Sequence, residues 1–474
     1  MNAPAAAPHL LPSFVQRPLP DAFLPALSAR FGAQCSTALA VREQHGRDEG
    51  AIAAPPPAAV VFAESVRDVQ DAVRLCSEHA VPVIAYGAGS SLEGHLLAVE
   101  GGISIDVSRM NRILSVNTED LTVTVQPGIT RKQLNEAIKD TGFFFPIDPG
   151  ADASVGGMAS TRASGTNAVR YGSMRENVLA LEVVTAQGEV IRTGTRAKKS
   201  AAGYDLTRLL VGSEGTLGIF TEITVRLYPL PEAVSAAICS FPSIEAAVRC
   251  VIQTIQMGVP IARVELIDVN AVRMVNAYSK LDLREETMLL MEFHGSPTGV
   301  KEQAEMVQDI AGEFGGNAFE WAERPEDRTR LFTARHNAYF AAVSSRPGCR
   351  CITTDTCVPI SRLADALLEC VQEADASGIP YFIVGHVGDG NFHFGYLIDP
   401  DNDDERRRAE DLSRQLVQRA IRLGGTCTGE HGIGIHKQDF LREEAGDGAI
   451  QMMRTIKQAL DPKNILNPGK IFAL

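Results

Sequence analysis

The sequence predicts an α+β protein built as two successive units. Short alternating strands and striped helices follow one another along most of the chain. The pattern stops and restarts around Tyr228-Pro-Leu-Pro231. Three loops rich in glycine and serine fall between residues 87 and 218, more than the turns of a first unit require.

Taken in order, residues 1–20 are rich in alanine and proline and lack the basic start and apolar run of a secretory signal. With one arginine, Arg17, they also make a poor mitochondrial presequence, so a loose arm is expected there, within an arm and helical lead-in spanning 1–54. The first domain is expected over 55–231. It starts with a strand, a helix from Ser65 to His79 and a strand from Val81 to Tyr86. In the helix, Val66, Val69, Ala72, Val73 and Cys76 form one stripe. Alternation marks strands at Ile103–Val107 and Leu121–Val125, and Thr130 with Gln133 forms a capping box at a helix start. Strands Ala180–Thr185 and Glu189–Thr193 meet at Gln187-Gly188, and Ile219–Leu227 closes the unit.

The second domain, expected over 232–474, begins with strand-like AAICSF. A helix from Ser243 to Met257, a strand Ala262–Ile267, the strand MLLMEFHG and a helix Thr298–Phe314 come next. This order predicts an antiparallel sheet with helices on one face.

Composition excludes several classes. A net charge of −13 argues against a nucleic-acid partner. No stretch reaches the roughly 18 uncharged apolar residues of a membrane span, which leaves cytoplasm as the default address. Nine scattered cysteines read as reduced thiols, not a disulfide framework. Cys349, Cys351 and Cys357 fit no common metal-cluster spacing.

The first glycine loop, Tyr86-Gly-Ala-Gly-Ser-Ser-Leu-Glu-Gly-His95, follows a strand, and its backbone N–H groups can approach a phosphate. It is not a Rossmann fingerprint, because Leu92 stands where the third glycine belongs and a strand comes next. The others are PGADASVGGMAS from Pro149, leading into Ser164-Gly165, and GSEGTLGI from Gly212. Together they suit a long flat ligand lying against backbone.

YFIVGHVGDGNFHFGYLI reads as a hairpin turning at Gly388-Asp389-Gly390-Asn391. Pairing outward places His386 opposite His393, where Cβ atoms stand ~5 Å apart and two imidazoles can share a divalent cation. Glu430, in Thr428-Gly-Glu-His-Gly432, is the natural third ligand, and mixed N/O ligation leaves zinc and manganese both open.

The motifs YGAGSSLEGH, PGADASVGGMASTRASGTNAVRYG, VGSEGTLGIFTEIT, ARHNAYFA, TTDTCVP, GHVGDGNFHF, TGEHGIG and LDPKNILNPGK, from about residue 55 to the C-terminus, resemble the vanillyl-alcohol oxidase / p-cresol methylhydroxylase flavoproteins. Within these the chain looks like the FAD-dependent D-lactate dehydrogenases that use a non-nicotinamide acceptor. The resemblance implies a two-lobed FAD-binding domain, a cap carrying the substrate site, and a C-terminal segment returning to the flavin. It implies noncovalent FAD held by Tyr86, Gly87, Ala88, Gly89, Ser90, Ser91 and Leu92. Pro149, Gly150, Gly156, Gly157, Ser160, Ser164, Gly165 and Gly172 would line it, with Glu214, Gly215, Gly218, Ile219 and Asn467. His95, a conceivable covalent tether in such folds, is expected only as a neighbour.

The resemblance also matches His386, His393 and Glu430 to metal ligands that face substrate. Arg335, with Tyr339 one turn on, becomes the clamp for a substrate carboxylate. His431 becomes the general base for oxidation of a D-2-hydroxy acid such as D-lactate. A bound cation beside it would depress its pKa and keep it neutral. Electrons would pass to a quinone, cytochrome or electron-transfer flavoprotein. The resemblance is compatible with peripheral contact at the inner membrane and with a homo-oligomer. A glycolate-oxidising subunit, a D-2-hydroxyglutarate dehydrogenase and a non-redox flavoprotein are the alternatives. The dicarboxylate-oxidising branch carries lysine at the position of Thr353 and asparagine at that of Gly395, and neither is present.

Overall fold

The structure, a computed structural model, describes residues 14–50 and 54–474. Residues 1–13 of the expected arm lie outside the described residues. The next part of the arm is pinned, contrary to the expected looseness: Arg17 donates from its backbone to Glu100 O at 3.0 Å and from its guanidinium to Asn464 O at 2.9 Å.

Three large sheets organise the described chain, beside a two-stranded pairing of Phe143–Phe144 with Tyr228–Pro229. The first has the order Cys35–Ser36, Ala59–Phe62, Ile103–Asp106, Val83–Tyr86, with the last three parallel. The predicted helix, Val66–His79, is capped by Ser65 and buries Val69, Ala72, Val73 and Cys76 against this sheet. Ile465 and Leu466 from the far end of the chain complete that core, and Asn467 N donates to Val83 O at 2.8 Å.

The second sheet is antiparallel, in the order Ile113–Asn117, Thr122–Val125, Ile219–Arg226, Val178–Val184, Val190–Gly194. The capping box at Thr130 and Gln133 forms as predicted and starts the helix Arg131–Ile138.

The third sheet is antiparallel and larger. Its order is Asn317–Ala322, Ala233–Phe241, Thr287–Gly295, Ile261–Ile267, Tyr381–His386, Asn391–Ile398, Arg350–Thr353, with Thr356–Cys357 also paired to Asn391–Ile398. Its helices do not keep to one face, as the order of elements suggested. Ala237, Cys239 and Phe241 pack under the helices Ile244–Gln256 and Pro297–Glu313, whereas Ala236 and Ile238 pack under Val269–Ser279 and Pro325–Ser345. The strands are apolar on both faces, so both need cover. The second face matters here, because Pro325–Ser345 carries Arg335. Among the described residues, no helix is long and apolar enough to cross a membrane.

Candidate active site

One cavity of about 1070 Å³ runs between the first two sheets and the third. All the predicted cofactor residues line it except Gly172 and Gly218, which the structure assigns to backbone geometry. Gly172 ends a short helix at φ +74°, and a side chain at Gly218 would run into Val183. Gly215 turns its open side to the cavity, with nothing nearer than 3.8 Å to where a Cβ would stand. Ser91 Oγ is buried without a hydrogen-bond partner. Asn467 is held by donating to Glu214 O at 2.7 Å and His95 O at 3.1 Å. His95 is buried, with Nε2 3.3 Å from Glu214 Oε2.

The far end of the cavity is lined by Arg335, Tyr339, His386, His393, Glu430 and His431. The hairpin turns one residue earlier than predicted, over 387–390 instead of 388–391. His386 pairs with Asn391 and His393 with Val384, a register two residues from the expected one. Because side chains alternate with period two, the slip leaves both imidazoles on one face as diagonal neighbours. Their ring centres are 5.4 Å apart. Each ring is anchored through Nδ1: His386 to Glu265 Oε1 at 2.6 Å, His393 to Thr354 O at 3.0 Å. Each then presents Nε2 to Glu430 Oε1, at 3.5 and 3.6 Å. Glu430 Oε2 is buried and unpartnered.

Two carboxylates shape the loop that supplies Glu430 and His431. Asp355 Oδ2 accepts from the backbone N of Gly429, Glu430 and His431 at 2.9–3.0 Å, and from Thr428 Oγ1 at 2.8 Å. Glu214, from the cofactor half, accepts from Ile433 N at 2.7 Å and Gly434 N at 2.8 Å. Glu265 has a second partner as well, since its Oε2 accepts from Arg335 Nε at 2.7 Å.

The electrostatics come from burial against these carboxylates. Burial opposes a charged His386, but Glu265 and Glu430 outweigh it and hold its pKa well above the ordinary value. For His393 burial wins, and its pKa falls to about 4. Burial alone would raise Glu430, yet His386 brings it down to about 2. His431 is raised: burial lowers it, and Asp355 and Glu93 more than compensate. The depression expected from a bound cation must therefore work against the protein's own carboxylates. Glu93, Glu265, Asp355 and Glu430 face Arg335, Lys437 and the imidazoles of His386 and His431, so a divalent ion here would take over the place of imidazole protons beside these carboxylates.

The C-terminal domain of FAD-linked oxidases matches residues 230–471, and an FAD binding domain matches 57–194. The chain belongs to the FAD-linked oxidase family. This family member is 49% identical over 442 residues to a "Probable D-lactate dehydrogenase, mitochondrial" of Danio rerio, covering 93% of this chain and 89% of that protein. It is 44% identical to a "D-lactate dehydrogenase [cytochrome], mitochondrial" of Arabidopsis thaliana, covering 90% of this chain and 76% of that one. Its fold matches p-cresol methylhydroxylase with substrate bound at TM-score 0.77 and 18% identity, covering 97% of this chain and 99% of the other.

FAD is the cofactor of this family, and the glycine-lined half of the cavity has the chemistry to take it. Open backbone at Gly215 and a free hydroxyl at Ser91 fit a dinucleotide. Sequence reading of this family member missed Glu265, Asp355, Glu93 and Lys437. Asp355 lies in TTDTCVP, where only Thr353 had a role in the sequence reading, and the structure shows Asp355 gathering three amides.

Proposed function

We propose that the protein oxidises a D-2-hydroxy acid, D-lactate first among them, with noncovalent FAD and a divalent cation held by His386, His393 and Glu430. The observation that carries this is convergence. The three ligand groups have donor atoms within 4.8 Å of one another, and they share one cavity wall with Arg335 and His431.

Bound FAD supplies the acceptor for the hydride leaving C2, and a bound divalent cation supplies positive charge at the hydroxyl oxygen. Arg335 keeps its remaining guanidinium N–H groups for the substrate carboxylate while Nε stays on Glu265. His431 takes the hydroxyl proton. Loss of that proton and of the C2 hydride turns D-lactate into pyruvate. A cytochrome, a quinone or an electron-transfer flavoprotein would be the final acceptor of the two electrons that leave the substrate.

The cavity wall favours a short substrate over a dicarboxylate. Thr353 and Gly395 pair directly across two strands and both line the cavity. A side chain at Gly395 would overlap the ring of Phe382. The test is anaerobic titration of the purified flavoprotein with D-lactate, L-lactate, D-2-hydroxyglutarate and glycolate. Bleaching by D-lactate at the lowest concentration is expected. Preferential bleaching by glycolate or D-2-hydroxyglutarate would replace the substrate, and no bleaching by any of them would reject the reaction.

A further inference from the structure

The proposed base, His431, needs its ring fixed and one particular nitrogen free. Its flat face packs against His393, with ring centres 5.7 Å apart and planes 15° apart. Its Nδ1 edge meets two carboxylates. Asp355 Oδ2 is the more distant, at 3.9 Å, and already accepts from three backbone amides and a hydroxyl. Glu93 Oε1 is nearer, at 3.4 Å.

Glu93 is itself tightly held. Oε1 is 3.1 Å from the buried Lys437 Nζ and Oε2 is 3.1 Å from His436 Nδ1. Its carbonyl accepts from Ile435 N at 2.7 Å, and a side chain at Gly434 would overlap that same carbonyl oxygen. Glu93 does not line the cavity, so it cannot touch substrate or cofactor. It directly follows the loop 87–92 that does.

We infer that Glu93 is the positioning residue for His431, its carboxylate holding the Nδ1–H so that Nε2 is the proton acceptor turned to the substrate. This rests on the reading of His431 as base. The hydroxyl proton moves to Nε2 and gives an imidazolium. The Nδ1 proton stays on His431, and Glu93 stays ionised, neutralising the charge that arrives. The base and its orienting group thus come from opposite halves of the molecule. The competing view is that Glu93 only neutralises Lys437.

A double-mutant cycle on the FAD- and metal-loaded protein separates the two, read as the stopped-flow rate of flavin reduction by D-lactate. Glu93→Gln keeps size and packing but removes the charge, and should slow reduction by about tenfold to a hundredfold with little change in substrate affinity. Added to His431→Ala it should cost less than about twofold, because the group it serves is gone. Glu93→Ala, corrected for flavin content, should repeat the pattern. An unchanged rate in Glu93→Gln, or an equal slowing in both backgrounds, overturns the inference while leaving the base in place. A His431→Ala protein reduced at the parental rate instead overturns the base assignment itself, and the inference with it.

Discussion

Arg335 and His386 are joined through opposite oxygens of one fully buried carboxylate, that of Glu265, at 2.7 and 2.6 Å. The residue proposed to grip the substrate and one proposed to hold the metal therefore share a single anchor. Glu265→Gln should lower metal affinity by about 10–100-fold, the usual effect of losing such an outer partner. It should also raise the KM for the hydroxy acid. Metal titration of chelated protein and steady-state kinetics check both, and a change in only one would show that the two residues are held independently.

His393→Ala should abolish stoichiometric metal while leaving the hairpin folded, because the strand keeps its ladder from Tyr381–Tyr396 to His386–Asn391. Elemental analysis and circular dichroism read the two effects. A fully active variant would place the cation elsewhere or remove it from the reaction.

His431→Ala should keep FAD and metal and bind substrate nearly as well. Flavin reduction should slow by ~10²–10⁴-fold, the usual contribution of a general base. Stopped-flow absorbance measures this.

FAD should leave the polypeptide on acid precipitation. His95, the residue considered for a tether, is buried beside Glu214 at 3.3 Å. Flavin remaining in the washed pellet would contradict noncovalent binding.

A stability prediction concerns Asp268, which caps the helix Val269–Ser279 and accepts from Ala271 N and Ile383 N. Burial raises its pKa from 3.8 to about 6, with those amides opposing. Between these two values the folded state holds a proton that the unfolded state has released, so this group's contribution to stability falls as pH rises. The loss amounts to about 3 kcal/mol by pH 7. Asp268→Asn keeps an acceptor for the cap and has no such titration. Its Tm relative to the parent should be higher at pH 7 than at pH 4. The reverse order would mean that the amides, not burial, dominate.

Much of the site was legible because its logic is local. The helix at Ser65, the capping box at Thr130 and the three glycine loops obey short-range rules. The two histidines survive a register error because a shift of two residues returns each side chain to the same face. What escaped was buried charge. Arg263-Val-Glu265-Leu-Ile267 alternates charged and apolar residues as a solvent-facing strand would, yet Arg263 and Glu265 face the cavity. Gly172 and Gly218 show the converse: a glycine required by a turn or a close approach looks in sequence like one required by a ligand. The cover on both faces of the large sheet was legible in the near-continuous apolar runs AAICSF and MLLMEF, which leave no polar face, but the order of elements alone suggested helices on one side.

The loop from Thr428 to Gly434 takes its shape from Asp355 on one side and Glu214 on the other. Neither carboxylate is near it in the chain. A chimaera joining the flavin half of one relative to the cap of another would inherit this loop with one of its two clamps from a foreign parent. Grafting Glu430 and His431 alone would transplant the reactive groups without the backbone curve that aims them. The smallest portable unit of this chemistry is therefore spread over segments more than 200 positions apart, and a recombinant keeps the curve of the loop only if carboxylates stand at both Glu214 and Asp355.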